Sequence, residues 1–296
     1  MTGQDRNTEI ENSLPDYPFH ANYIEIDHLK IHFIDEGDKT APAILFLHGV
    51  PTWSFTFRRI FHVCLNAGCR VIAPDLPGFG RSDKPDDHSF YTITRLVEIV
   101  DQFVQQKMLQ SSFLFAQDWG AILGMILAAK HPEFFSGIIA CNGYLPDLKA
   151  KSPLSFVGWK LLCKYSPVLP VGRIVDIASE HKLSPAERKA YDLPFKNKKD
   201  KIAIHILPQL IPVKDNSAEC ELIRESWAKL KTYKKPFLTV FSSDDKITRG
   251  GEKLLQQRIP GAKNQEHKIL KGRHFLQEDA PTELGLIVTE FVRNNR

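Results

Sequence analysis

The 296-residue chain is 43% hydrophobic and 25% charged with a formal charge of +4, enough to bury a full core and too ordinary for a disordered or fibrous protein. The basic excess is small, its conspicuous cluster at residues 196–201 reads as a solvated loop or helix end, and no segment has the apolar length to span a bilayer, which argues against nucleic-acid and membrane partners. Cys64, Cys69, Cys141, Cys163 and Cys220 form no C-x-x-C pair, and residues 1–7 are polar without the apolar core of a signal peptide, so reduced thiols in a cytoplasmic protein are expected.

In chain order, residues 23–26 and 30–34 predict an opening hairpin. Residues 43–47, 70–73, 112–116 and 137–141 are short apolar runs of the kind buried on both faces of a sheet, and they alternate with helical stretches. The best amphipathic helix is predicted over residues 92–108, with Ile93, Leu96, Ile99, Val100 and Phe103 at helical spacing. Such alternation means a mainly parallel central sheet flanked by helices, an α/β fold. From 147 to 227 the pattern changes to helical patches with frequent prolines, and a strand at 237–241 resumes the sheet. We therefore expect a main domain over 1–146 and 228–296, with 147–227 inserted as a helical cap over the C-terminal ends of the strands, where open α/β sheets bind ligands.

The most informative stretch is Ala116-Gln117-Asp118-Trp119-Gly120-Ala121. It lies where a strand turns into a helix, and its small residues allow the tight backbone of a nucleophile elbow, with a carboxylate in place of serine. An aspartate there is also what a helix N-cap uses, so the partners decide. Upstream, His48-Gly49-Val50-Pro51-Thr52-Trp53 follows an apolar strand and can turn the Val50 backbone amide towards the elbow. Downstream, Ser243-Asp244-Asp245-Lys246 ends the strand at 237–241, and Lys271-Gly272-Arg273-His274-Phe275 precedes the last helix. Nucleophile, acid and histidine thus follow the chain order of an α/β-hydrolase triad. No G-x-S-x-G occurs, so a serine hydrolase is excluded on its own motif, and the glycines of Pro74–Ser82 lack the rest of a nucleotide loop.

Taken together, these residues resemble the haloalkane dehalogenases of the α/β-hydrolase fold, in particular the subgroup whose second halide-binding tryptophan lies in the cap. The resemblance covers nearly the whole chain and is carried by His48-Gly49-Val50-Pro51-Thr52-Trp53, Gly78-Phe79-Gly80-Arg81-Ser82-Asp83-Lys84-Pro85, Gln117-Asp118-Trp119-Gly120, Phe156-Val157-Gly158-Trp159-Lys160 and His274-Phe275-Leu276-Gln277-Glu278. It implies Asp118 as nucleophile, His274 as base, Asp245 as supporting acid in preference to Asp244, Trp119 and Trp159 as a halide clamp, and Phe156 beside them in the pocket. The family often has an acidic residue where Val50 stands; because the contact would use the backbone amide, valine is compatible with the chemistry.

A carboxylate in a dry pocket at a helix N-terminus can displace halide from carbon, and indole N–H groups suit the leaving halide because they only donate. His274, oriented by Asp245, would activate the water that cleaves the resulting ester, with the amides of Val50 and Trp119 as oxyanion donors. This chemistry needs no metal or cofactor: its partners are a haloalkane, water and the halide product, and the resemblance implies a monomer. His32, His62 and His205, in apolar surroundings, are expected to be core residues, and Trp53 and Trp227 packing residues. Two alternatives stay open. An epoxide hydrolase would need a tyrosine hydroxyl to protonate an alkoxide, and Tyr144, Tyr165 and Tyr191 are in or beside the cap; a non-catalytic binding protein on the same fold would not need the triad at all.

Overall fold

The computed structural model describes residues 14–148, 153–211 and 217–296; the polar stretch at 1–7 lies outside them. Eight strands form one sheet in the order β1-β2-β4-β3-β5-β6-β7-β8. β1 (Asn22–Ile26) and β2 (Leu29–Glu36) are an antiparallel hairpin, and β2 is antiparallel to β4 (Arg70–Pro74). From β4 onward, through β3 (Ala43–Leu47), β5 (Ser112–Gln117), β6 (Phe135–Cys141), β7 (Phe237–Ser242) and β8 (Lys268–Leu270), every pairing is parallel.

The parallel core follows from the sequence. β5 and β7 are buried at every position, and Ile44, Leu45, Phe46 and Leu47 of β3 are fully buried, as a strand covered by helices on both faces must be. The helix Ile93–Gln106 starts one residue after Thr92, whose side chain accepts the Arg95 N–H at 3.1 Å and caps it. The helix Trp119–Lys130 is buried from Trp119 to Ala129, because the sheet lies on one side and the helix Ala218–Leu230 on the other. On the opposite face, Pro281–Asn294 packs against Arg58–Asn66.

Parallel strands point their C-terminal ends to one edge, and that is what assembles the site. The loops after β3, β5, β7 and β8 carry Val50, Asp118, Asp245 and His274 respectively, so residues up to 224 positions apart leave the same edge of the sheet. Between β6 and β7 the described residues form helices Leu154–Tyr165, Val171–Ile177, Pro185–Asp192, Ile202–Ile206 and Ala218–Leu230, with short 3-10 turns and no strand. The last of these lies against the sheet-flanking helix Trp119–Lys130, so the boundary expected at 227/228 falls inside a helix that has already returned to the sheet.

Three features depart from the sequence expectations. β8 is an additional strand, three residues long. His62 is exposed rather than packed in the core, with its ring against Phe19, and His205 is only half-buried; both sit on short helices whose apolar neighbours face inward while the histidine faces out. His32 is buried as expected. Trp53 is enclosed among Tyr17 and Phe55, and Trp227 donates its indole N–H to the Pro146 carbonyl at 3.0 Å, so both are packing residues.

Candidate active site

Asp118 occupies the N-cap position of Trp119–Lys130 but does not cap it: its side chain makes no hydrogen bond to the helix. Its backbone has φ 51° and ψ −118°, a conformation a non-glycine residue adopts at a cost of about 1–3 kcal/mol. The strain is borne because the turn packs tightly on β3; a Cβ at Gly120 would be driven into the Leu47 carbonyl oxygen. The result is a carboxylate lifted out of the helix ladder and aimed outward. Its Oδ1 accepts the Val50 N–H at 2.9 Å, and its Oδ2 lies 3.6 Å from His274 Nε2.

His274 is buried, and its Nδ1 lies 3.0 Å from Asp245 Oδ2. Asp245 in turn accepts the Ile247 N–H at 2.8 Å and the Thr248 hydroxyl, which fixes the carboxylate. Asp244 is exposed and turns towards Arg273, so of the two neighbouring carboxylates it is Asp245 that pairs with His274. Burial disfavours the charged form of His274, yet the Asp245 and Asp118 carboxylates outweigh it and push the imidazole up to about 10. Burial likewise tends to raise Asp245, but the His274 charge and the donated hydrogen bonds hold it below its ordinary range.

A pocket of about 220 Å³ opens beside these groups. Among the described residues Asp118 and His274 are its only ionisable lining; the rest include Val50, Pro51, Trp119, Phe156, Trp159 and Ile247. Phe156 and Trp159, three residues apart on the helix Leu154–Tyr165, share its inward face, and Trp119 follows Asp118 directly. Among the described residues neither indole N–H is taken by a protein acceptor. None of the described lining residues is a tyrosine: Tyr191 is fully buried with its hydroxyl on Glu278, and Tyr165 is 68% exposed. No His, Cys, Asp or Glu cluster with metal-binding geometry occurs among the described residues.

Sequence reasoning overlooked two things here. Gln117, fully buried, brings its Nε2 to 3.3 Å from His274 Nε2; its position immediately before Asp118 was the available signal. The far wall of the pocket, Ile174, Ile177 and Ala178, comes from the helix Val171–Ile177 and its end, and apolar residues in a helical stretch carry no mark of the face they line.

A family model for the alpha/beta hydrolase fold matches residues 42–281. A haloalkane dehalogenase of Mycobacterium marinum is 39% identical over 92% of this chain and 93% of its own length. The chain belongs to the haloalkane dehalogenases. A second member, from Psychrobacter cryohalolentis, is 37% identical over 96% of this chain and 95% of its own. Among solved structures, the haloalkane dehalogenase DpaA of Paraglaciecola agarilytica, described as tetrameric, superposes with a TM-score of 0.84 at 27% identity, covering 97% of this chain and 95% of that one. Family membership makes the chain a hydrolase that acts on carbon–halide bonds.

Proposed function

We propose that the protein hydrolyses carbon–halogen bonds of haloalkanes to alcohol and halide through a covalent ester on Asp118. The observation that carries this reading is a carboxylate on a strained elbow, held by an amide on one oxygen, facing an apolar pocket whose wall, among the described residues, offers two indoles and no tyrosine. Asp118 Oδ2 attacks the halogen-bearing carbon in line; the C–X bond breaks and halide leaves with its electron pair. Trp119 and Trp159 donate to the departing halide, each worth about 3 kcal/mol by comparison with an oxyanion-hole donor.

Esterification removes the negative charge of Asp118, one of the two carboxylates that raise His274. The imidazole then gives up its proton more readily and becomes the base for the second step, with Asp245 keeping Nδ1 protonated and Nε2 towards the ester. Water activated by His274 attacks the carboxyl carbon of Asp118. The oxyanion forms on Oδ1, which the Val50 N–H already holds, with the Trp119 amide as second donor. Acyl–oxygen cleavage releases the alcohol and restores the carboxylate, so haloalkane and water give alcohol, halide and a proton.

The cap lies within 147–227, and its helices before Ala218 supply Phe156, Trp159 and Ile174 to the pocket. We further propose a monomer with no metal, cofactor, nucleic-acid or membrane partner, in keeping with apolar chemistry completed within one chain. No helix among the described residues is long and apolar enough to cross a membrane, and all five cysteines are free and buried, which favours the cytoplasm.

The test is bromide release from 1,2-dibromoethane and 1-bromobutane, run beside diol formation from styrene oxide. Bromide without diol is expected; diol without bromide assigns an epoxide hydrolase instead, and neither product favours a binding protein. Trp159→Phe should lower turnover and weaken halide binding severely, and unchanged values would remove Trp159 from the clamp.

A further inference from the structure

Two consecutive carboxylates, Glu278 and Asp279, follow His274 by four and five residues and are used by none of the steps above. They point to different parts of the helical segment. Glu278, buried, pairs with Arg58 at 2.5 Å and with Arg59 at 3.3 Å, and accepts the Tyr191 hydroxyl; the same two arginines hold Glu187, so the helix Pro185–Asp192 is tied to the main body through a buried charge cluster.

Asp279 makes the closer link. Its Oδ2 accepts the Arg273 N–H at 2.7 Å, on the residue before His274. Its Oδ1 accepts the N–H groups of Glu180 at 2.8 Å and His181 at 2.9 Å, just beyond the helix Val171–Ile177. Gly272 makes room for this: at φ 151° its missing Cβ would stand 2.9 Å from Asp279 Oδ2. Two more bonds join the same loops, His274 N–H to the Ala178 carbonyl at 3.0 Å and Arg273 Nη1 to the Ile177 carbonyl at 3.1 Å. Ile177 and Ala178 line the pocket, so one carboxylate fastens a pocket wall to the loop carrying the histidine.

We infer that Asp279 is a positioning residue that locks the Ile174–Ala178 wall of the pocket to His274, so that ester hydrolysis depends on it while ester formation does not. The inference rests on the two-step reading of the site. The nucleophile is held independently, by its own elbow and by Val50, and the clasp reaches neither. His274, by contrast, rides on a loop whose backbone is anchored on both sides, by Asp279 and Ala178 and by Asn142, whose Nδ2 donates to the carbonyls of Arg273 at 3.0 Å and His274 at 2.9 Å. An asparagine at 279 keeps the shape, but with its oxygen on Glu180 and His181 its NH2 faces the Arg273 N–H, donor against donor.

The experiment is Asp279→Asn, read by rapid-quench bromide release from 1,2-dibromoethane and by histidine NMR without substrate. The expected result is a burst rate and amplitude within about twofold of wild type, a steady-state rate lowered by roughly 10- to 100-fold as a misplaced base would give, and a displaced His274 ring resonance. Equal losses in burst and steady state, or no loss in either, overturn the proposal. Should the variant fold poorly, hydrogen exchange of the unaltered protein decides: protected amides at Glu180, His181 and Arg273 are expected, and rapid exchange at all three overturns it. If the wild type releases no bromide, the dehalogenase reading fails, while the exchange and the ring resonance still judge the clasp.

Discussion

Among the described residues, two histidine–aspartate pairs have both partners buried, and one of the two borders the pocket. His32 Nδ1 is 2.7 Å from Asp75 Oδ2, and His274 Nδ1 is 3.0 Å from Asp245 Oδ2. In the first, Asp75 also accepts the N–H groups of Ser54 at 2.8 Å and Arg81 at 2.9 Å, and so fastens β2 to the loops after β3 and β4. Burial tends to raise Asp75, yet the His32 imidazole and the donated bonds hold it well below the usual carboxylate range. In the second, the far nitrogen looks across 3.6 Å at the carboxylate of a strained elbow on the wall of an apolar pocket. The carboxylate–imidazole pair is therefore a structural unit first; what the second ring nitrogen faces decides whether it is also chemistry.

Changes to the reacting side of the second pair should have the largest effects. Asp118→Ala is expected to abolish bromide release, a loss on the order of 10^6-fold in kcat as for other missing nucleophiles; residual turnover above a hundredth of wild type would exclude covalent catalysis by Asp118. His274→Phe should leave the first step and stop the second, so that mass spectrometry of the intact protein after incubation with 1-bromobutane finds it heavier by one butyl group. A variant that releases no bromide and gains no mass would contradict the division of labour between the two residues.

Matched substitutions then separate the pairs. Asp245→Asn removes the charge that orients His274, with an expected kcat loss of about 10^4-fold by analogy with a triad acid. Asp75→Asn breaks a fully buried pair and should cost about 3–5 kcal/mol in a denaturation midpoint, while the folded fraction keeps a kcat within a few-fold of wild type. If Asp75→Asn silences the enzyme without destabilising it, the two pairs are not different in kind.

Much of this was legible in the sequence because it is local. Strand runs such as 43–47 and 112–116 are largely apolar segments, and Gln117-Asp118-Trp119-Gly120 marks a strand-to-helix turn by its own residues. The chain order of Asp118, Asp245 and His274 becomes geometry because parallel strands put their following loops on one edge. What escaped was either too short or too distant. β8 has three residues, one of them a lysine, and no periodicity can form in that length. Arg58 meets Glu278 across 220 positions and Glu187 across 129, and nothing near Arg58 announces either partner. Ile174 and Ala178 gain their meaning only from the tertiary placement of their helix against His274.

The smallest expected effect sharpens the comparison most, because it reads the field at the active pair without substrate. His274 is raised from 6.5 to about 10, with burial opposing and Asp245 and Asp118 overcoming it. A group whose folded value is raised adds stability that is fully present below its unfolded value and is lost as pH climbs through the folded one. The wild type should thus lose this contribution between pH 6.5 and about 10. Asp118→Asn keeps the shape and removes one of the two charges, so the ring should titrate below the wild-type value and the midpoint difference between the two proteins should shrink as pH rises through that window. Histidine NMR follows the ring directly. An unmoved titration in Asp118→Asn would mean that Asp245 alone sets the charge on His274, and that esterification of Asp118 does nothing to prepare its base.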